Sequence, residues 1–283
     1  LYHAPNGRFF GGTVNVKYLS VLFVGDDAFD SDEGYQGKGQ FLFAMTGAAG
    51  NHGTEMDSKT GGNFDSMPRS HPAFYSMTII GGGAGGRGGG LMRLREGTGG
   101  KFGNIVLTNP TDIGLRIGDC GSETVTQTLP SATTSIGISG EAASAGYLFF
   151  SSNNIISGVP AAGTLIKTDS SCPGAVMSFS AVTEDPTLMA AHDVWSAFDL
   201  EQTGSVLPLD PRPTCGGSAF ENVDSSPFGD AFYSTVTYKG AFGTENWLDG
   251  WSFVNLHGGF VSSSYTCPVS TEPYNLCGDP GVR

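Results

Sequence analysis

Val21–Met45, VLFVGDDAFDSDEGYQGKGQFLFAM, sets an acidic corner between two apolar, strand-like runs. Hairpins favour two-residue turns with left-handed residues at their centre. Here the runs are separated by a long polar segment, so the two strands are expected to follow one another around a corner, not to fold back on each other. The corner carries Asp26, Asp27, Asp30, Asp32 and Glu33, with no basic residue among them. Carboxylates this close repel one another unless a cation, a basic partner or water screens them.

The rest of the chain has the composition of short strands and turns. It has 283 residues, 44 of them Gly, and only 14% are charged. Gly weakens helix interiors by about 1 kcal/mol per residue, and the Val, Ile, Thr and Phe content suits pleated surfaces. A net charge of −13 argues against binding nucleic acid or an anionic membrane through bulk electrostatics. No apolar run approaches the roughly 20 residues needed to span a bilayer as a helix. Cys120, Cys172, Cys215, Cys267 and Cys277 contain no C-x-x-C pair, which argues against a zinc or redox motif. Cys267 and Cys277 bracket a short Pro-containing loop and are expected to form one disulfide, with Cys172–Cys215 as a second and Cys120 left over, in an oxidised, secreted protein.

Further strands are predicted at 13–24, in two alternating segments that meet near Tyr18, and at 40–45, 73–80, 91–95, 102–108 and 114–117, each bounded by Gly, Asn, Asp or Pro. Brief strands separated by long polar corners are the pattern of a parallel β-helix. Gly81–Gly90, GGGAGGRGGG, precedes another strand and no helix, so it reads as a corner and not as a phosphate loop. Residues 187–200 form the one helix candidate, starting after Asp185-Pro186, and a strand is expected at 231–238. The predicted organisation is an all-β, right-handed parallel β-helix over residues 1–185, and a helix-containing, aromatic C-terminal capping region over 186–283. Trp247 and Trp251 are expected to seal the end of the solenoid, with stacking on sugar rings as the other use of exposed aromatics.

Four phrases, FFGGTVNVKYLSVLFVGDDAFDSDEGYQGKGQFLF, PRSHPAFYSMTIIGGG, LMRLREGTGGKFGNIVLTN and YKGAFGTENWLDGWSFV, together resemble a family of secreted or surface-anchored right-handed parallel β-helix proteins of marine bacteria and stramenopile algae. The resemblance is dense over residues 7–118 and returns at 236–254. It implies the fold and an extracellular or cell-surface location more than a chemistry. With a chain that opens inside the coil pattern, it leads to the expectation of a noncatalytic structural or adhesive module. Such a module would join other protein subunits in a larger surface assembly or filament, for example a flagellar hair.

The plainest reading of the acidic corner is a solvated turn with no ligand, and two functional readings stand beside it. As a hard-cation site, Asp26, Asp27, Asp30, Asp32 and Glu33 would bind Ca²⁺, with Glu55, Asp57 and Asp65 completing it from a neighbouring coil. As an enzyme, the chain resembles the polygalacturonase kind of β-helix hydrolase. Gly25-Asp26-Asp27, Asn51-His52-Gly53 and Arg93-Leu94-Arg95 follow in the order that family uses, and imply Asp26, Asp27, His52 and Arg93 as site residues acting on a polysaccharide, as hydrolase or lyase. The pattern departs from that family in lacking the Asn-Thr-Asp of the preceding coil and the Lys of the basic strand. His71 and His192 stand alone and are assigned structural roles. Arg93 and Arg95 are expected to join a ladder of salt bridges along the solenoid.

Overall fold

The computed structural model describes residues 7–47, 50–59, 63–83, 86–120, 148–151, 153–172, 180–181 and 210–252. Alternating apolar positions separated by turn residues give strands that wind in six successive coils. The first holds β1 (Gly7–Phe10) and β2 (Val16–Leu22), the second β3 (Phe29–Asp32) and β4 (Lys38–Met45), and the third β5 (Thr54–Met56) and β6 (Ala73–Ile80). The fourth holds β7 (Met92–Arg95), β8 (Gly100–Gly103) and β9 (Val106–Thr108). The fifth holds β10 (Ile113–Gly118), β11 (Leu148–Phe150) and β12 (Ile155–Ser157), and the sixth β13 (Thr164–Thr168) and β14 (Ser180–Ala181). The strand pairs are parallel and join neighbouring coils. The molecule is therefore a parallel β-helix. Among the described residues, no helix is long and apolar enough to cross a membrane, which says nothing about membrane-crossing strands.

One sheet runs β1-β3-β5-β7-β10-β13. The second starts as β2-β4-β6 and then divides, the first half of β6 pairing with β8 and the second half with β9. The division follows a column of left-handed residues at equivalent places, Tyr18 (φ 56°), Phe41 (58°), Ser76 (54°) and Asn104 (53°). A left-handed residue turns the strand and lets the in/out alternation restart in the opposite phase. This is why the segment around Tyr18 reads as two patterns although it forms one strand. Such a conformation costs a non-Gly residue about 1–3 kcal/mol and persists only where neighbouring coils impose it.

Inside, like stacks on like. Phe29, Thr54, Met92 and Leu115 are in register across the first sheet, as are Ser31, Met56, Leu94 and Ile117. An aromatic file crosses the opposite wall, with ring centroids 4.8 Å apart for Phe9–Tyr35, 6.3 Å for Tyr35–Phe74, 6.4 Å for Phe74–Phe102 and 5.0 Å for Phe102–Phe150. The apolar side chains of these rows are buried in one continuous core, apart from Phe9, which packs partly buried against it.

The second sheet is apolar on its outer side as well, and residues 210–252 lie along it. Phe43, Met45 and Ile80 pack on Ala241, Phe242 and Leu248; Tyr75 packs on Tyr233; Val106 and Ile155 pack on Ala219. Backbone groups are matched too. Gln40 exchanges two hydrogen bonds of 2.8 Å with the Ser234 backbone, the Tyr233 hydroxyl donates to the Ala73 carbonyl at 2.8 Å, and the Ala241 amide donates to Thr78 Oγ1 at 2.8 Å. The aromatic segment thus covers a flank of the solenoid instead of sealing its end, because the outward rows of the second sheet are themselves large and apolar. It does so with turns and two short 3₁₀ segments, Ser218–Phe220 and Pro227–Gly229, where a strand was expected at 231–238. The helix predicted at 187–200 lies outside the described residues.

Cys172 pairs with Cys120, not with Cys215, since the coil register brings the ends of the fifth and sixth coils together (Cα–Cα 4.9 Å). Cys215 is also disulfide-bonded, to a partner outside the described residues, where the Cys267–Cys277 expectation also falls. The 52-residue separation closed by Cys120–Cys172 gives roughly 4 kcal/mol in the chain-entropy picture. Replacing both residues by Ser is expected to lower the unfolding free energy by about 2–4 kcal/mol in denaturant titration. Phe102→Ala, which opens the aromatic file between Phe74 and Phe150, is expected to cost about 3–5 kcal/mol by the same measurement.

Candidate functional site

Because the coils stack in register, outward residues of the first sheet form rows. Arg8, Asp30, Glu55, Arg93, Arg116 and Lys167 occupy one row from β1 to β13. Opposite charges on adjacent strands neutralise one another at this spacing. Arg8 contacts Asp26 at 3.1 Å and Asp30 at 3.4 Å; Arg116 grips Asp169 at 2.6 Å; Arg93 grips Asp119 at 2.7 Å. Arg95 holds Asp57 through two nitrogens at 2.8 and 2.9 Å and reaches Glu55 at 3.0 Å.

The five carboxylates of the acidic corner do not gather around one point. Asp26 and Asp30 face Arg8, Glu33 pairs with Lys59 at 2.7 Å, and Asp32 accepts the Glu33 amide at 2.7 Å. The corner thus has basic partners after all, and they come from other coils. Asp27 alone turns towards His52 and Glu55. Of the second acidic set, Asp57 is held by Arg95 and Asp65 by Arg69, at 2.7 Å, so Asp65 stands apart. Of the residues expected for an enzyme, the fold brings Asp27, His52 and Arg93 together, adds Glu55 and Arg95, and leaves Asp26 outside on Arg8.

The turns before β3, β5 and β7 build this centre. The His52 amide donates to Asp27 Oδ1 at 3.0 Å, and the Ala28 amide donates to the His52 carbonyl at 2.9 Å, which locks one turn onto the next. His52 is only 1% exposed, and its Nδ1 lies 2.6 Å from the Gly90 carbonyl. A carbonyl cannot donate, so Nδ1 carries the proton. Gly90 sits at φ 110°, a conformation side chains rarely adopt, and this allows its carbonyl to meet the ring. Burial holds the imidazole below its ordinary range, so it is neutral and Nε2 presents a lone pair. Arg93 Nη1 stands 3.3 Å from that lone pair and 3.9 Å from Glu55 Oε1.

Glu55 is pushed up to about 8, first by burial and then by the neighbouring carboxylates Asp27 and Asp57, with Arg95 pulling the other way. A hydrogen bond to Asp27 also favours its protonated form. Asp57 is raised to about 7 by burial against the pull of Arg95, and Asp30 to about 6 by burial against the pull of Arg8. At neutral pH the centre therefore holds the protonated Glu55 carboxyl beside Asp27, with a neutral imidazole and a guanidinium at hand. Ligand atoms of Asp27, His52 and Glu55 all lie within 4.8 Å of one another. That set would suit a metal ion, and the Arg93 guanidinium shares two of its groups, standing 3.3 Å from His52 Nε2 and 3.9 Å from Glu55 Oε1.

These shifts link pH to stability with opposite signs. Glu55 binds its proton in the folded chain up to about pH 8 and in the unfolded chain only to about 4.3. Stability therefore falls as pH rises through that interval. His52 acts oppositely, but only below its ordinary value of 6.5, where the unfolded chain takes up a proton and the folded one does not. Between pH 6.5 and 8 the carboxyl effect stands unopposed. Unfolding free energy measured by denaturant titration is expected to fall across that window in the wild type and to fall less steeply in Glu55→Gln. The Glu55 side-chain carboxyl ¹³C resonance is expected to titrate with a midpoint near 8.

Comparison with known proteins agrees with the architecture. A family model described as a pectate-lyase like beta helix domain matches residues 7–142, a stretch that carries Asp27, His52, Glu55, Arg93 and Arg95 and leaves the flanking segment outside. No curated protein and no solved structure matches. The chain is a parallel β-helix protein whose first half is similar to the pectate-lyase like domain.

Proposed function

We propose that the chain binds a polysaccharide along its first sheet and cleaves glycosidic linkages there by acid–base chemistry, with Glu55 as the proton donor. The observation that supports this reading is the convergence of Glu55 with Asp27, His52 and Arg93 on one face of the solenoid. A carboxyl that keeps its proton near pH 7 is what protonation of a departing glycosidic oxygen needs. Asp27 is the partner carboxylate. A ligand oxygen of Asp27 lies within 4.8 Å of one of Glu55, closer than the roughly 6.5–9.5 Å of inverting pairs, so Asp27 attacks the anomeric carbon as Glu55 gives its proton to the leaving oxygen, and water then hydrolyses the glycosyl ester. Arg93, 17% exposed in its side chain, and Arg95 would neutralise charge that builds up on substrate or carboxylate as the proton leaves. A disulfide between Cys120 and Cys172 supports an oxidising, extracellular location.

A noncatalytic structural module of a surface assembly is the second reading. It is favoured by the way Arg8, Arg93, Arg95 and Arg116 each find a carboxylate within the same face, as a purely structural ladder would. Release of new reducing ends, or of unsaturated sugars with ultraviolet absorbance, from a panel of acidic and neutral polysaccharides separates the two. Glu55→Gln mimics the protonated side chain, so the fold is expected to survive while kcat falls by about 10²–10⁴. No product from any polysaccharide in the panel would overturn the enzymatic reading and leave the structural one.

A further inference from the structure

Large exposed hydrophobic side chains among the described residues are Phe10, Val14, Tyr18, Met67 and Trp251. Tyr18 and Trp251, 51% and 59% exposed, flank the same buried ring system on the second sheet, away from Glu55. Phe242 stacks on Trp247 with centroids 5.2 Å apart and planes 12° apart, and Trp247 stacks on Trp251 at 6.5 Å and 23°. Tyr18 stacks on Phe41 at 4.7 Å and meets Trp247 edge-on at 5.6 Å. Both indoles are tied down, Trp247 Nε1 donating to the Ala241 carbonyl at 2.8 Å and Trp251 Nε1 to the Trp247 carbonyl at 2.6 Å. Beneath them lie Phe43, Met45 and Ile80 of the solenoid wall.

An exposed tryptophan that is both stacked and hydrogen-bonded has its orientation set before any ligand arrives, which removes much of the entropic cost of binding. Tyr18 is also held in a left-handed conformation, where Asn104 occupies the equivalent place three coils on. Asn tolerates that conformation better, so the backbone there does not by itself call for an aromatic. We propose that Tyr18 and Trp251 present two stacking faces, inclined to one another across Trp247, for the flat C–H faces of sugar rings in a neutral polysaccharide, independent of any chemistry at Glu55.

A protein partner fits less well. Standard interfaces bury roughly 800 Å² per side around an apolar core depleted of charge. Here the exposed rings are only two, and exposed Glu245 and Asp249 lie on the same turn as Trp251. Carboxylates beside aromatic faces suit sugar hydroxyls, which donate to them, and they repel polyanions.

The test is depletion of the full chain from solution by microcrystalline cellulose and by chitin beads, with alginate gel as the polyanionic control. Retention on a neutral polysaccharide and not on alginate is expected. Trp251→Ala and Tyr18→Asn are each expected to weaken it at least tenfold with an unchanged thermal midpoint, the second keeping a residue suited to the left-handed position. Trp251→Phe is expected to restore part of the binding. Glu55→Gln is expected to be retained like the wild type, so loss of cleavage and loss of this platform are read separately. Failure of the wild type to bind either neutral polymer, or full retention of Trp251→Ala, would overturn the proposal. So would sedimentation showing self-association that Trp251→Ala abolishes, since the rings would then serve a protein contact.

Discussion

Everything in this molecule follows from backbone groups finding their partners one coil away. In a parallel ladder each strand bonds the strands above and below it, so the register of one coil fixes the register of the next. A side chain then meets its own equivalent at strand spacing. For apolar residues this is favourable without further arrangement, and the core becomes rows of Phe, Met, Leu and Ile. For charged residues it is a constraint, because like charges in one row would repel. The outward row of the first sheet sets Arg8 against Asp30 and Glu55 against Arg93, and where like charges adjoin, partners outside the row take them up, Arg95 for Glu55, Asp119 for Arg93 and Asp169 for Arg116.

The centre around Glu55 is where that solution is incomplete. Asp27, Glu55 and Asp57 come close enough to repel, while Arg95 is committed chiefly to Asp57 and Arg93 to Asp119. Burial raises the cost of each unshared charge, and the relief is a proton kept on Glu55. The same logic places a neutral imidazole beside a guanidinium. His52 avoids carrying charge because it is buried and its Nδ1–H already has the Gly90 carbonyl.

How much of this is legible in the sequence depends on whether a feature is local. The strands were, since alternation and turn residues mark them. The segments expected at 40–45 and 73–80 fall within β4 and on β6, and the run 102–108 divides at Asn104 because its left-handed residue interrupts one pattern. The order Asp27, His52, Arg93 also pointed to residues that converge. What was not legible depends on coil register. The corners between strands differ in length, so nothing in the chain tells that Arg8 and Lys59 reach the acidic corner, or that Cys172 faces Cys120. Glu55 was visible only as one of a second acidic set, because its protonation comes from burial that stacking creates. The turns of residues 210–252 have no period from which to infer that they lie along the second sheet.

That flanking segment also changes how the molecule holds together under load. A bare solenoid is a chain of nearest-neighbour contacts and can fray coil by coil from either end. Here one ribbon is bonded to Gln40 in the second coil, Thr78 in the third and Asn104 in the fourth, and its Ala219 rests on Ile155 in the fifth. Peeling away a single coil must break ties to a ribbon that its neighbours still hold. The coils thereby share one fate, and a fold assembled from repeats behaves mechanically as a single body.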